Sequence, residues 1–308
     1  MIEHVPVLIN EIVSFLKERP GLKRVLDCTL GLGGYAGAIL EAIPGSLVWG
    51  LDQDGEALRE ASARLARWGE RFQPFKGNFA DAPRILGDYG PFDALLFDLG
   101  VSNLQISEGR RGFSFQTDGP LDMRMNADSP FSAKDLVNSG SERELADIFW
   151  KFGEERFSRQ IARGIVRRRQ EGDGISTTGE LVALIREVLP APVQRKMGGH
   201  PARRVFQALR IAVNEELPAL ERGLEGAPGL TAPGGLIAVV SYHSLEDRIV
   251  KYFFRRLKDE GRGTILTRRP VIPSEEELEA NYKSRSAKLR VFEVKRSGKE
   301  AGDDGKGE

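Results

Sequence analysis

The chain has 308 residues, 40% of them hydrophobic, and its 45 Lys and Arg residues balance its 45 Asp and Glu residues. This length predicts one large domain or two, and a formal net charge of zero excludes a strong overall attraction to polyanions. The single cysteine, Cys28, excludes an intrachain disulfide and is interpreted as a core residue. Because the sequence lacks paired Cys and His spacings, we expect no metal site.

The N-terminal segment has no signal-peptide core, and no apolar run approaches the ~20 residues of a membrane span. We therefore expect a cytoplasmic protein. Charge is unevenly distributed, because the middle third has an excess of cations, most of them arginines. Arginine suits bidentate contacts to phosphate, but a solvated helical surface would have the same composition, and charge alone does not decide between the two.

The first third of the chain alternates strands and helices. An amphipathic helix is predicted over 10–17, strands over 24–29, 46–52, 72–76 and 92–98, and a further helix over 55–68. This alternation predicts a parallel sheet covered by helices. Ligands of such sheets bind beyond the carboxyl ends of the strands, where Asp27, Asp52 and Asp98 fall.

A glycine-rich turn, Gly31 to Gly34, follows the first strand, and the second strand ends at Asp52. Glycines let the backbone approach a ligand closely, and an acid at this position can accept hydrogen bonds from both ribose hydroxyls. The pattern therefore predicts a nucleotide-like cofactor such as NAD, FAD or S-adenosylmethionine. Asp27 could serve the ligand or simply brace the turn.

The middle of the chain changes character. Residues 105–130 read as a loop, and four helices without an intervening strand follow, including 154–170 and 201–217. Capping boxes are predicted at 141–144 and 177–180. Strands resume at 235–241, 263–267 and 288–294. We therefore predict a Rossmann-like sheet formed by residues 1–105 and 211–296, an inserted all-helical domain over 106–210, and a disordered tail over 297–308.

The predicted strand count favours a methyltransferase over a dehydrogenase. S-adenosylmethionine-dependent methyltransferases usually add an antiparallel seventh strand to the six of a nicotinamide domain, and residues 288–294 supply one. An acidic strand end such as Asp98 is also typical of methyltransferases. The glycine run matches G-x-G-x-x-G only loosely, because Ala36 occupies the third glycine position.

Eight segments, in order, are similar to the bacterial ribosomal RNA small subunit methyltransferase H family (RsmH, formerly MraW). They are H-V-P-V-L at 4–8, D-L-G-V-S-N-L-Q at 98–105, R-G-F-S-F at 111–115, D-G-P-L-D-M-R-M at 118–125, E-R-F-S-R-Q-I-A at 155–162, H-P-A-R-R-V-F-Q-A-L-R-I-A-V-N-E-E-L at 200–217, S-Y-H-S-L-E-D-R-I-V-K at 241–251 and R-S-A-K-L-R at 285–290. The resemblance implies a class I S-adenosylmethionine-dependent methyltransferase with a helical substrate-recognition domain. It also implies N4-methylation of a cytidine in 16S rRNA, at the P-site part of the decoding centre of the small ribosomal subunit.

The resemblance also implies particular site residues. Cofactor contacts fall on Gly33, Gly34, Tyr35, Asp52, Phe79, Asp98 and Gln105, with Asp52 at the ribose and Phe79 near the adenine. The sequence departs from the family pattern at Tyr35, where histidine is usual, and at 102–105, where the family has Ser-Ser-Pro-Gln and this chain has Ser-Asn-Leu-Gln. These changes bear on cofactor contacts and on the loop beside the target base.

Chemistry and position suggest further roles. The amine of cytosine is a weak nucleophile. By position, the candidate acceptors for its hydrogens are Asp98, the Leu99 carbonyl, Ser102 and Asn103. Tyr242 could stack on a flipped base or pack in the core, and His243 could orient a proton or stabilise the loop. RNA phosphates are predicted to contact a stripe of arginines at helical spacing: Arg156, Arg159, Arg163 and Arg167.

Two other functions remain open from the sequence. One is a non-enzymatic factor for small-subunit assembly built on the same fold, and the other is a methyltransferase of DNA or of a small metabolite. Methyl transfer to small subunits would discriminate the first from an enzyme. The basic helical insert argues against a small metabolite.

Overall fold

The computed structural model describes residues 6–172 and 174–296. The predicted tail at 297–308 and His4 of the first family segment lie outside the described residues. The chain divides into two compact units. The sheet unit comprises the residues up to Asp52, Glu56–Gly100 and the residues from Leu220 onward, and the helical unit comprises Gln53–Gly55 and Val101–Ala219.

The sheet unit contains a seven-stranded sheet. The strands are β1 (Arg24–Asp27), β2 (Leu47–Asp52), β3 (Phe72–Lys76), β4 (Phe92–Asp98), β5 (Thr231–Ser241), β6 (Gly263–Ile265) and β7 (Lys288–Val294). Their order is β3-β2-β1-β4-β5-β7-β6. The first five strands pair in parallel, whereas β7 runs antiparallel to both β5 and β6. The predicted Rossmann-like methyltransferase sheet with an antiparallel seventh strand is confirmed.

Fourteen helices are found in the described ranges 6–172 and 174–296. They are α1 (Ile9–Lys17), α2 (Gly34–Ala42), α3 (Gly55–Leu65), α4 (Ala82–Leu86), α5 (Asn103–Ser107), α6 (Ala133–Ser139), α7 (Glu142–Gly153), α8 (Ser158–Gln170), α9 (Thr178–Val188), α10 (Ala191–Lys196), α11 (Arg203–Val213), α12 (Glu216–Leu230), α13 (Ser244–Asp259) and α14 (Glu275–Ala280). Short 3-10 turns cover Ala66–Arg71, Phe79–Asp81, Gly87–Tyr89, Gly109–Arg111 and Tyr282–Ser286. None of these helices combines the length and apolar character that a membrane span requires.

Both faces of the sheet are buried, as the continuous apolar strands predict. Successive residues of β4 alternate between two hydrophobic clusters, with Leu96 on one face and Leu95 and Phe97 on the other. Cys28 is buried in the second cluster, as expected. This packing on both faces fixes the position of the sheet edge at which β1, β2 and β4 end.

The helical unit has its own core, to which α7, α8, α9 and α11 contribute. Ile161 and Ile165 of α8 are fully buried there, as their helical spacing predicts. However, α8 begins at Ser158 rather than at 154. Glu154 takes a left-handed conformation that ends α7, and the carboxylate of Glu155 accepts the Phe157 N–H at 2.9 Å. The four residues 154–157 thus form a turn between two helices.

Other boundaries also differ from the prediction. The helix predicted over 201–217 is wrong, because α11 ends at Val213 and Glu215 has a left-handed φ of 48°. The side chain of Asn214 accepts the Met125 N–H at 2.7 Å and donates to the Met123 carbonyl at 2.8 Å. These bonds belong to the helical unit, which therefore extends beyond the 106–210 range expected from the sequence.

The two predicted helix caps have different outcomes. Thr177 forms a reciprocal capping box with Glu180. Ser141 accepts the Glu144 N–H at 3.1 Å, but in the described structure the Ser141 N–H does not donate to the Glu144 carboxylate in return.

Candidate active site

Three aspartates lie at one edge of the sheet because the turns after β1, β2 and β4 are bonded to one another. The Gly31 N–H donates to Asp52 Oδ2 at 2.7 Å. The hydroxyl of Thr29 accepts the Asp98 N–H at 2.6 Å. The turn after β1 is therefore tied to the last residues of β2 and β4, and Asp27, Asp52 and Asp98 share one electrostatic environment.

Asp27 is the most deeply buried of these acids, at 1% exposure. Its Oδ1 accepts the Thr29 N–H at 3.2 Å, so it does brace the turn. Its Oδ2 is buried and has no hydrogen-bond partner among the described residues. Burial raises the pKa of this carboxyl to about 7, and the negative charges of Asp98 and Asp52 contribute in the same direction.

Asp98 ends β4 and is held from the neighbouring strand. The hydroxyl of Tyr242, which follows β5, donates to Asp98 Oδ1 at 2.7 Å. Burial raises the pKa of Asp98 to about 7, although the bond from Tyr242 favours the ionised form. Gly100 has a φ of 102°, and a Cβ there would lie 3.5 Å from the Tyr242 ring. In the described chain, Asp98 forms no ion pair with a cation.

The glycine turn ends in a helix whose first N–H groups have no side-chain cap. Gly33 is the N-cap of α2, with a left-handed φ of 74°. Gly34 begins α2, and Tyr35 follows. Such a helix N-terminus attracts a carboxylate. The Tyr35 side chain is buried and donates its hydroxyl proton to the Val7 carbonyl at 2.6 Å. The ring is therefore committed to the core, which leaves the backbone N–H of Tyr35 for a ligand.

Phe79 lies in the short turn after β3. The side chain of Asn78 accepts the Ala80 N–H and begins this turn. The Phe79 ring is partly buried and makes an edge-to-face contact with Phe97 at 5.7 Å between centroids. It therefore presents a fixed aromatic surface beside the strand that carries Asp98.

In the helical unit, Gln105 and Ser102 form a capping box at the start of α5. The Ser102 hydroxyl accepts the Gln105 N–H at 3.2 Å, and Gln105 Oε1 accepts the Ser102 N–H at 3.1 Å. Gln105 Nε2 donates to Asp54 Oδ2 at 3.0 Å. The same oxygen lies 2.8 Å from Arg111 Nη2. The sequence analysis assigned Gln105 to the cofactor and Ser102 to the target amine. In the structure, both side chains also stabilise the loop in which they lie.

His243 is the N-cap of α13. Its Nδ1 accepts the Glu246 N–H at 3.4 Å, and its Nε2 lies 3.1 Å from Glu246 Oε1. Glu246 is buried and also accepts the N–H groups of Tyr242 and His243. The imidazole thus supports the turn that carries Tyr242, and its part in proton transfer stays a prediction.

The four arginines of the predicted stripe do not form one helical row. Arg156 lies in the turn before α8, so its expected helical position is wrong. Arg163 contacts Glu142 at 3.5 Å, and Arg167 contacts both Glu171 at 3.9 Å and Glu187 at 3.6 Å. Arg156 and Arg159 are exposed and form no ion pair with any described residue. Half of the stripe is therefore already partnered within the helical unit.

Sequence reasoning missed the bond from Tyr242 to Asp98 and the Asp54–Arg111 pair. The partners are 144 and 57 positions apart, and no local pattern signals either contact. Glu246 could have been found, because it stands three residues after His243, at the spacing of a capping box.

The antiparallel seventh strand and the acids at the ends of β1, β2 and β4 define an S-adenosylmethionine-dependent methyltransferase. A family model described as the MraW methylase family matches residues 1–295. The chain is 46% identical to a ribosomal RNA small subunit methyltransferase H from Carboxydothermus hydrogenoformans, over 94% of this chain and 97% of that protein. The chain therefore belongs to the MraW methylase family.

Similar solved structures have much lower sequence identity. An rRNA methylase from Streptococcus thermophilus is 13% identical, with 96% of this chain and 99% of that chain covered and a TM-score of 0.45. The N-methyltransferase NodS from Bradyrhizobium japonicum is 8% identical, with 94% of each chain covered and a TM-score of 0.44.

The residues of the sheet unit fit S-adenosylmethionine. The cofactor carries a positive sulfonium and an α-ammonium group. In the described residues, Asp27 and Asp98 have no Lys or Arg partner, and Asp27 Oδ2 has no hydrogen-bond donor. Leaving buried carboxylates without a cation is costly, and a cationic ligand at this edge would offset that cost. The uncapped N-terminus of α2 would supply donors for the carboxylate of the same ligand.

Proposed function

We propose that the protein transfers the methyl group of S-adenosylmethionine to the exocyclic N4 amine of a cytidine in 16S rRNA, at the P-site part of the decoding centre. The observation that carries this proposal is Asp98, an acid without a cationic partner, fixed by Tyr242 at the carboxyl edge of the sheet. The family resemblance at 98–105 and the name of the relative support the RNA substrate. The protein would act on small ribosomal subunits or their precursors in the cytoplasm.

For cofactor binding, we assign Asp52 to the ribose hydroxyls and the N–H groups of Gly34 and Tyr35 to the methionine carboxylate. Gly33 allows the close approach of the turn, and Phe79 packs near the adenine. We also assign Gln105, whose side chain donates to Asp54, to the methionine end of the cofactor. The bound cofactor supplies an activated methyl group on a positively charged sulfur.

For the amine, we assign an acceptor role to Asp98. Its Oδ1 is bonded to the Tyr242 hydroxyl, and its Oδ2 has no hydrogen-bond partner among the described residues, so Oδ2 can accept an amine hydrogen. Orientation of this kind localises the nitrogen lone pair toward the methyl group, and alignment rather than strong base catalysis dominates the rate. A carboxyl with a pKa of about 7 can also take the proton that the methylated amine releases. Ser102 and His243 are assigned supporting roles.

Nucleoside mass spectrometry tests the proposal directly. 16S rRNA from cells with the gene should contain N4-methylcytidine at the target position, and rRNA from cells without it should not. Purified protein should then transfer radiolabelled methyl groups to small subunits that lack the modification. Binding to small subunits without methyl transfer would instead indicate an assembly factor, and labelling of DNA or of a small metabolite would indicate another substrate class.

A further inference from the structure

Helix α13 carries an exposed basic face that the assigned site does not use. We infer that this face binds the phosphate backbone and one unstacked base of the substrate RNA. The inference rests on the proposed function and adds a contact surface on the sheet unit. The α13 basic face consists of Arg248, Lys251, Tyr252, Arg255 and Lys258, all exposed.

The spacing of these residues places them on one side of the helix. They recur at three- and four-residue intervals, and the opposite side buries Val250, Phe253, Phe254 and Leu257 in the core of the sheet unit. Helix packing therefore fixes the direction of the α13 basic face, and the core provides a rigid support for it. The helix starts at Ser244, two residues after Tyr242, whose hydroxyl holds Asp98.

The cations of this face are available for a ligand. Within the described residues, none of Arg248, Lys251, Arg255 and Lys258 forms an ion pair. Nearby acids are already neutralised: Asp247 pairs with Arg290 at 2.7 Å and Lys288 at 3.5 Å. Glu225 pairs with Arg256, and Glu260 lies 3.7 Å from both Arg256 and Arg262. Asp259 also lies on this side, so four cations face one acid.

Tyr252 distinguishes the face from an ordinary solvated helix surface. Its side chain is 56% exposed in the middle of the cations, and Lys251 Nζ lies 5.9 Å from its ring centre. An exposed aromatic ring among cations suits single-stranded nucleic acid, because the ring stacks on a base while the cations contact phosphates. A lipid surface would require several apolar side chains on this face. The other four residues of the face are cations and Tyr252 is its only aromatic residue, so the face does not suit a lipid surface.

RNA binding and its salt dependence test the inference. We expect the double variant Arg248→Ala/Arg255→Ala to bind a fluorescently labelled RNA hairpin with a cytidine-containing loop about tenfold more weakly than the wild type. The slope of log K against log salt should fall by about two, one unit for each lost phosphate contact. The matched control is Lys17→Ala/Arg59→Ala, which removes two exposed helical cations of the same unit and should bind like the wild type. Equal affinity and slope in the two double variants would overturn the inference.

The aromatic contact has its own test. Tyr252→Ala should weaken hairpin binding about tenfold, whereas Tyr252→Phe should retain it, because stacking needs the ring and not the hydroxyl. Equal losses in both variants would refute stacking. Normal hairpin binding by Arg248→Ala/Arg255→Ala together with weaker binding to small subunits would assign the face to a ribosomal protein instead, and would also overturn the inference.

Methylation kinetics separate this inference from the proposed function. Arg248→Ala/Arg255→Ala should raise the KM for small subunits about tenfold, while kcat and the Kd for S-adenosylmethionine stay at wild-type values. A wild-type protein that methylates no small-subunit RNA would refute the proposed function. The hairpin measurements would still decide whether the α13 basic face binds RNA.

Discussion

Asp98 ends β4 and Asp54 lies two residues beyond the end of β2, but the charges around these two acids differ. Asp54 lies in the helical unit, is 2% exposed and has Arg111 Nη2 at 2.8 Å. Asp98, like Asp27, lies at the sheet edge without a cationic partner among the described residues, and burial raises the pKa of both carboxyls to about 7. A cationic partner compensates the charge of a buried acid, whereas unpaired buried acids reduce stability and favour a cationic ligand. The presence or absence of a cationic partner therefore distinguishes an acid with a structural role from an acid that can bind a cationic ligand.

The largest expected effect is the loss of folding stability when the paired acid, Asp54, is replaced. Asp54→Ala should lower the free energy of unfolding by about 3–5 kcal/mol, because it removes the carboxylate that pairs with the buried guanidinium of Arg111. Urea denaturation monitored by circular dichroism measures this change. The double variant Asp54→Ala/Arg111→Met should recover most of the loss, since no buried charge then remains. A loss below about 1 kcal/mol in the single variant would mean that the pair resembles a surface ion pair and that the contrast with Asp98 is weak.

The next effect concerns catalysis at the unpaired acid. Asp98→Asn keeps the shape of the side chain but weakens its acceptor capacity and removes its charge. Single-turnover methylation of small subunits at saturating cofactor should slow by about 100-fold, equivalent to roughly 2.7 kcal/mol of barrier. Tyr242→Phe removes the hydroxyl that donates to Asp98 and should slow the reaction by about tenfold. Thermal stability serves as the folding control. Wild-type rates for Asp98→Asn would exclude it from the chemistry.

Asp27 tests the stability cost of an unpaired acid. Its folded-state pKa of about 7 lies above the usual 3.8, so the folded protein binds more protons than the unfolded chain between these values. The free energy of unfolding therefore falls as pH rises from about 4 to 7. Asp27→Asn lacks this dependence, and its stability relative to the wild type should improve steadily between pH 4 and pH 8, by up to about 4 kcal/mol. Parallel stability curves for the two proteins would contradict the raised pKa.

The smallest expected effect is on cofactor affinity. Protonated Asp27 and Asp98 do not attract a sulfonium, and both ionise as pH rises through 7. Calorimetry should show the Kd for S-adenosylmethionine falling by about tenfold between pH 6 and pH 8, equivalent to about 1.4 kcal/mol. S-adenosylhomocysteine, which lacks the positive sulfur, serves as the control and should show a smaller change. Identical pH dependence for the two ligands would mean that the unpaired acids do not sense the sulfonium charge.

The same distinction between paired and unpaired groups applies to the arginine-rich helices. Arg163 and Arg167 of α8 pair with acids of α7, of α9 and of the residue that follows α8. Arg248 and Arg255 of α13 form no ion pair among the described residues. Composition made the middle third the expected RNA-binding region. Pairing within the fold shows that a count of arginines overestimates the charge available to a ligand, because acids distant in sequence neutralise part of it.

The sequence by itself determined the sheet and the position of its acids. Apolar strands of fixed period, the glycine turn at 31–34 and acids at strand ends are local signals, and parallel pairing brings Asp27, Asp52 and Asp98 to one edge. The eight family segments added the methyltransferase class. Local rules were less reliable at helix ends, where the buried Glu155 and the left-handed Glu154 interrupt a pattern that reads as continuous helix from 154.

Only the tertiary structure decided the partners of the polar groups. The Tyr242 hydroxyl reaches Asp98, Arg111 reaches Asp54, and the Tyr35 ring turns to Val7 instead of toward a ligand. Each contact joins residues far apart in sequence, and its geometry depends on strand order and on packing of the units' cores. Hydrogen bonds act over about 3 Å and require alignment, so residue types and spacing alone do not specify which distant groups meet.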